Sequence, residues 1–156
     1  MILNQNLAEK LQLPSVSQIG IVTNDLEKTV NYYEKVLGLN PFVMPKIVYK
    51  TKHYYGKAVD SEWLMAFSSL GPVELEIIQP LTGPTVYHDY LEEKGDGIHH
   101  LGFDVKDIEK KLEIFTKMGI KNIQGGQGET SRFEYFDTAE IGGVTIELLQ
   151  REKRRA

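Results

Sequence analysis

Gln18-Ile-Gly-Ile-Val-Thr-Asn-Asp25-Leu-Glu-Lys28 lies over His100-Leu-Gly-Phe-Asp-Val-Lys-Asp107-Ile-Glu-Lys110 at a constant offset of 82 residues. Gly20 and Gly102, Asp25 and Asp107, Glu27 and Glu109, and Lys28 and Lys110 are identical. Each stretch runs on as an amphipathic helix into a glycine, Gly38 or Gly119. A second pair follows in the same order, Val73-Glu-Leu-Glu76-Ile-Ile-Gln79 over Val144-Thr-Ile-Glu147-Leu-Leu-Gln150. Two ordered matches identify a duplicated module, and a repeat of that size fixes the architecture before any single element does.

Both copies have the same plan. An opening strand, Ser17 to Thr23 or Ile98 to Val105, ends in a polar turn whose Asp is placed to cap a helix. Leu26, Val30, Tyr33 and Leu37 form one helical stripe, and Ile108, Leu112, Phe115 and Met118 form the other. Three more strands are predicted in each copy. In the first they are Phe42–Tyr49, Glu62–Ser69 and Val73–Gln79; in the second, Lys121–Gln124, Arg132–Thr138 and Val144–Gln150, with Gly142-Gly143 as a hairpin turn. Gly125-Gly126-Gln127-Gly128 is predicted as a flexible loop, since no strand and helix flank it as a phosphate cradle requires. The expected organisation is an N-terminal extension (1–14), a first βαβββ module (15–82), a connecting helix (83–96), a second βαβββ module (97–151) and a basic tail (152–156). The fold class is α+β, two duplicated modules forming one curved mixed sheet around a single cleft.

Composition narrows the chemistry. The 156 residues contain no Cys, which excludes disulfide scaffolds, thiol nucleophiles and Cys-ligated metals. A net charge of −4 argues against nucleic acid as a partner. No apolar run is long enough for a membrane-spanning helix, and residues 1–14 have no apolar signal core, so a cytoplasmic location is expected.

The repeat also singles out four chemically able side chains. Gln18 and His100 are equivalent on the opening strands, and Glu76 and Glu147 on the closing strands. Taken singly, each would pass as a solvated strand residue. A pseudo-twofold axis brings equivalent strand positions together, so the four become one candidate metal shell. Two carboxylates, an imidazole and an amide oxygen suit Zn, Co, Ni or Mn, with room for a substrate binding through two oxygens. Strand alternation turns Glu76 away from Leu75 and Ile77, and Glu147 away from Ile146 and Leu148. By the same alternation His99 is expected on the face opposite His100, outside the shell. His53 and His88 fall outside the repeat-defined positions and are expected at the surface or the cleft mouth.

At these residues the sequence becomes recognisable. Gln18 to Leu39, Glu74-Leu-Glu-Ile-Ile-Gln-Pro80, Gly97-Ile-His-His-Leu-Gly-Phe-Asp-Val-Lys-Asp107 and Thr145-Ile-Glu-Leu-Leu-Gln150 resemble the vicinal oxygen chelate superfamily over residues 15–151. Its members include glyoxalase I, methylmalonyl-CoA epimerase, extradiol dioxygenases and bleomycin-resistance proteins. The length and Gly-Ile-His-His-Leu-Gly-Phe are most similar to the epimerases. The resemblance implies Gln18, Glu76, His100 and Glu147 as metal ligands. It departs from the epimerases at Gln18, where they usually carry His; the Gln/Glu/His/Glu set resembles zinc-type glyoxalase I. Glu62-Trp-Leu-Met-Ala66 resembles the context of a second acidic base in some bacterial epimerases.

The resemblance thus implies a divalent-metal-dependent isomerase that moves a proton next to a thioester carbonyl, with Glu147 and Glu62 as the two bases. An acyl-CoA is the implied substrate, its phosphates met by the Lys46, Lys50, Lys52, His53, Lys57 segment, and a homodimer the implied assembly. The alternatives are a glyoxalase I-type lyase and a non-catalytic member that sequesters a small molecule. An iron dioxygenase is disfavoured, because only one His stands at a ligand position.

Overall fold

The computed structural model describes residues 3–152. The two opening strands, β1 (Gln18–Val22) and β6 (Gly97–Asp104), pair antiparallel at the centre of a nine-stranded mixed sheet. On one side, β5 (Val73–Thr82) runs parallel to β1, followed by antiparallel β4 (Glu62–Leu70). On the other, β9 (Thr145–Arg151) runs parallel to β6, followed by β8 (Ser131–Phe136) and β7 (Asn122–Gln127). The copies are joined strand to strand within the chain around the β1–β6 seam, a pairing that the repeat alone leaves open.

Each crossover helix covers one half of the convex face. Helix α2 (Leu26–Lys35) places Leu26, Val30 and Tyr33 on Leu75 and Ile77, and α4 (Ile108–Lys117) places Ile108 and Phe115 on Leu148 and Phe136. Asp25 caps α2 by accepting from the Lys28 amide at 3.0 Å. Asp107 forms no such cap. What both helices share is a glutamine from the closing strand: Gln79 accepts from the Leu26 amide at 2.8 Å, and Gln150 from Ile108 at 3.2 Å. These repeat-matched amides tie each helix N-terminus to its sheet. The α2 stripe is one turn shorter than predicted, because the helix ends at Lys35 and Leu37 is half exposed.

Three expectations need correction. Residues Phe42–Tyr49 do not form a strand; Val43 makes one isolated bridge to Phe67 of β4. The strands of this region are β2 (Thr51–Tyr54) and the short β3 (Lys57–Ala58), and β2 pairs with β7 of the other copy. Residues 44–50 therefore run from one end of the curved sheet to the other, with Tyr49 packed on both Trp63 and Phe133. Second, Gly125-Gly126-Gln127 is strand, not loop. A Cβ at Gly125 would overlap the Glu134 carboxylate and the His53 ring, and one at Gly126 would meet Phe133 at 2.6 Å, so the glycines permit close approach within the sheet. Third, the basic C-terminal run that begins at Arg151 is not all free tail: Arg151 ends β9 and its side chain is buried, while residues 153–156 lie outside the described residues.

Helix α1 (Gln5–Leu11) lies against α4, and Leu11 and Leu13 join the apolar cluster beneath it. Helix α3 (Val86–Lys94), predicted as a connector, buries Val86 and Tyr87 against the concave face with Val22, Ile78, Phe133, Tyr135 and Leu149. No helix among the described residues is long and apolar enough to cross a membrane.

Candidate metal centre

The four repeat-defined side chains meet on the concave face. Gln18 and His100 come from the seam strands, Glu76 from β5 and Glu147 from β9, and each is at most 5% exposed. Alternation explains the inward carboxylates: Leu75 and Ile77 lie under α2 and Leu148 under α4, so Glu76 and Glu147 face the other way.

The repeat-identical glycines have a steric role. In the antiparallel register Gly20 faces His100 and Gly102 faces Gln18. A Cβ at Gly20 would overlap the His100 imidazole, and one at Gly102 would stand 3.0 Å from Gln18 Cβ. Each copy leaves out a side chain where the other copy's candidate ligand lies.

Three oxygens surround one nitrogen. Gln18 Oε1, Glu76 Oε2 and Glu147 Oε2 each lie 3.1 Å from His100 Nε2. That nitrogen carries at most one proton and can satisfy only one of them. Glu147 Oε2 has no hydrogen-bond partner among the described residues beyond this imidazole contact. Burial draws the His100 imidazolium down, but Glu147 and Glu76 outweigh it and raise the group to about 9. Even with that proton, two buried carboxylates face a single positive charge, at a cost of several kcal/mol. Glu76, His100 and Glu147 offer donor atoms within 4.8 Å of one another, and with the Gln18 oxygen they make a mixed O/N set that fits a divalent cation.

The orientation of Gln18 is set from behind. Its Nε2 donates to Glu74 Oε1 at 2.8 Å, which turns Oε1 toward the cluster. Glu74 also accepts from Arg151 Nη1 at 2.7 Å, and Arg151 holds Asp104 through Nε at 2.7 Å and Nη2 at 3.1 Å. Sequence reasoning missed Glu74, although its place two residues before Glu76, on the same strand face, was the available signal.

His99 corrects a prediction. Gly20 pairs with His100 and Ile21 with Ile98, so His99 is the extra residue of a β-bulge. The bulge cancels alternation: both histidines are buried, while Ile98 is 54% exposed. His99 Nδ1 lies 3.1 Å from His100 Nδ1, and its ring packs edge-on against Tyr87, Tyr90 and Tyr135. Burial first, then the neighbouring His100, hold its pKa well below the ordinary value, so it stays neutral and its Nδ1 can accept a hydrogen bond from His100 Nδ1–H.

An aromatic wall closes the concave side. Tyr87 donates to Tyr135 at 3.0 Å, and Tyr135 Oη lies 3.5 Å from His100 Nδ1. Burial, then the carboxylates of Glu76 and Glu147, raise the Tyr87 hydroxyl well above its usual range; burial and Glu147 do the same for Tyr135. Trp63 packs on Tyr87 with ring centroids 5.5 Å apart. Beyond Trp63, Glu62 is exposed and lines a cavity of about 410 Å³ with Lys46, Lys50, Lys52, Tyr49 and Ser61. Glu62 is not part of the buried cluster. Lys50 pairs with Glu129 at 3.0 Å, and Lys52 lies over the Trp63 ring. His53 bonds Glu134 at 2.8 Å, and His88 Nδ1 lies 3.0 Å from Thr85 Oγ1, so neither joins the cluster.

The sequence model of the Glyoxalase/Bleomycin resistance protein/Dioxygenase superfamily matches residues 17–136. The chain is 29% identical over 140 residues to the uncharacterized protein YqjC of Bacillus subtilis, covering 86% of this chain and 91% of that one. It is 26% identical over 145 residues to the mitochondrial methylmalonyl-CoA epimerase of Mus musculus, covering 89% and 74%. In fold it matches the methylmalonyl-CoA epimerase from Mycobacterium tuberculosis with a TM-score of 0.64 at 20% identity, covering 90% of each chain. It matches the hypothetical protein BH1468 from Bacillus halodurans with a TM-score of 0.67 at 19% identity, covering 91% and 97%. A duplicated α+β sheet whose seam strands and their parallel neighbours bring an amide, an imidazole and two carboxylates to one buried point is the arrangement its motifs predict, and the chain belongs to the Glyoxalase/Bleomycin resistance protein/Dioxygenase superfamily.

Proposed function

We propose that this chain is a divalent-metal-dependent isomerase that moves a proton at the carbon next to a thioester carbonyl, with methylmalonyl-CoA as substrate. The observation that carries the reading is the convergence of Gln18, Glu76, His100 and Glu147 on one buried point. Similarity to proteins named methylmalonyl-CoA epimerase supports the substrate class. Those four residues would hold a zinc, cobalt, nickel or manganese ion, which would supply Lewis-acid stabilisation of the negative charge that develops on the substrate oxygens.

The remaining work falls to side chains. Glu147 takes the proton from one face of the substrate carbon, and Glu62, which lies in the outer cavity beyond Trp63, is assigned as the second base that returns one to the other face when bound substrate spans the cluster and that cavity. Trp63, Tyr87 and Tyr135 keep bulk water from the reacting carbon. Lys46, Lys50 and Lys52 supply cationic contacts for CoA phosphates at the outer cavity. A homodimer and a cytoplasmic location complete the proposal.

The test is solvent exchange. Metal-loaded protein is expected to exchange deuterium into C2 of methylmalonyl-CoA in D₂O, and Glu147→Gln to lower that rate at least 100-fold. No exchange by metal-loaded protein removes the epimerase, and full activity in Glu147→Gln removes that base. One observation favours a second reading: an amide oxygen at the first position is the pattern of zinc-type glyoxalase I. Conversion of the methylglyoxal–glutathione hemithioacetal to lactoylglutathione, without C2 exchange on the CoA ester, would establish it. Binding of either substrate without turnover would identify a sequestering protein.

A further inference from the structure

We propose that Glu74, braced by Arg151, is a positioning residue that makes Gln18 a usable metal ligand by fixing which end of its amide faces the cluster. The inference rests on the metal reading above and adds a requirement to it. A glutamine amide has a carbonyl oxygen that can bind a cation and an NH₂ group that cannot, and the two ends have almost the same shape. Within the cluster the amide meets His100 Nε2 at 3.1 Å, and that nitrogen can take either end: its lone pair accepts from an NH₂, its N–H donates to an oxygen.

Glu74 makes the choice. An ionised carboxylate only accepts, so it takes the amide through Nε2, at 2.8 Å, and leaves Oε1 directed at the other three donors. Glu74 is fully buried and directly beside Gln18 in the parallel β1–β5 register. A carboxylate there needs a countercharge, and Arg151 provides it at 2.7 Å while itself held by both oxygens of Asp104. The chain Gln18–Glu74–Arg151–Asp104 therefore runs from the centre of the cluster to the far end of β6 and β9.

The repeat gives an internal comparison. His100, the counterpart of Gln18, lies beside Thr145 in the parallel β6–β9 register. An imidazole presents a ring nitrogen whichever way the ring is turned, and its second nitrogen is met by His99. The buried carboxylate occurs in the copy whose candidate ligand is an amide.

The test is a double-substitution cycle read as zinc affinity by competition with a chelator. Glu74→Gln is expected to weaken zinc binding about 10- to 100-fold in the otherwise unchanged chain, the usual cost of losing an outer hydrogen-bonding partner. In a Gln18→Ala background the same change is expected to cost under threefold, since no amide remains to orient. Equal affinity of Glu74→Gln and the unsubstituted protein overturns the positioning role, as does an equal loss in both backgrounds. A measurement on the unsubstituted chain covers a variant that does not fold. The Gln18 side-chain amide, followed by ¹⁵N NMR, is expected to have slowly exchanging protons and to shift on zinc addition. Free exchange or an unmoved resonance overturns the proposal while leaving metal binding intact. An unsubstituted chain that takes up no divalent ion overturns both readings.

Discussion

Gly20 shows how a residue with no side chain can shape a candidate metal site. The Gly20–His100 pairing puts the imidazole where a Cβ would stand, so Gly20→Ala is expected to displace the ring. Overpacking of this kind costs about 1–3 kcal/mol of stability. It is also expected to weaken zinc binding at least 10-fold, because His100 Nε2 would leave the point it shares with three oxygens. Thermal unfolding and chelator competition on the same preparation check both effects, and an unchanged zinc affinity would show that His100 is not placed by this contact. At this scale the four donor residues were legible as repeat partners. His99 and Glu74 were not, because a bulge and a hydrogen-bond chain belong to strand pairing, which one strand's sequence does not state.

Among the elements, β7 and β2 carry the largest departure from prediction. Glycines read as loop punctuation because their usual role is conformational freedom. Here Gly125 and Gly126 save space in a strand, and the buried Glu134 fills part of it while bonding His53 and Asn122. Gly125→Ala is expected to force the Glu134 carboxylate and the His53 ring apart, loosen the β2–β7 pairing and cost about 1–3 kcal/mol in urea unfolding. Zinc affinity is expected to stay within twofold, since the cluster draws on β1, β5, β6 and β9. A loss of affinity matching the loss of stability would instead mean that the sheet edge and the cluster are one mechanical unit. The predicted strand at Phe42–Tyr49 failed for a related reason. Val43, Ile47 and Tyr49 have the residue types of a strand, but the segment spans the two ends of a curved sheet instead of extending one.

For the whole molecule, the buried cluster couples protonation to stability. In chelator-treated protein the folded state holds the His100 proton to about pH 9, against about 6.5 for an unperturbed His. The raised group stabilises the fold fully below pH 6.5, and that contribution is lost as pH rises to 9, at most about 3 kcal/mol. The melting temperature of chelator-treated protein is expected to fall across this window. Saturating zinc, which takes the place of the proton, is expected to raise it more at pH 9 than at pH 6. A flat profile without metal would show that the carboxylates do not hold the proton as the geometry indicates. The sequence by itself determined the duplication, the α+β class, the two amphipathic helices and four of the side chains at the centre, because periodicity and repetition are local and survive without coordinates. Only the tertiary structure decided where β2 pairs, that His99 turns inward, that Tyr87 and Trp63 wall the cluster, and that Arg151 reaches Gln18 through Glu74. Each of these depends on which distant strands become neighbours, and that is settled by packing the two halves against each other.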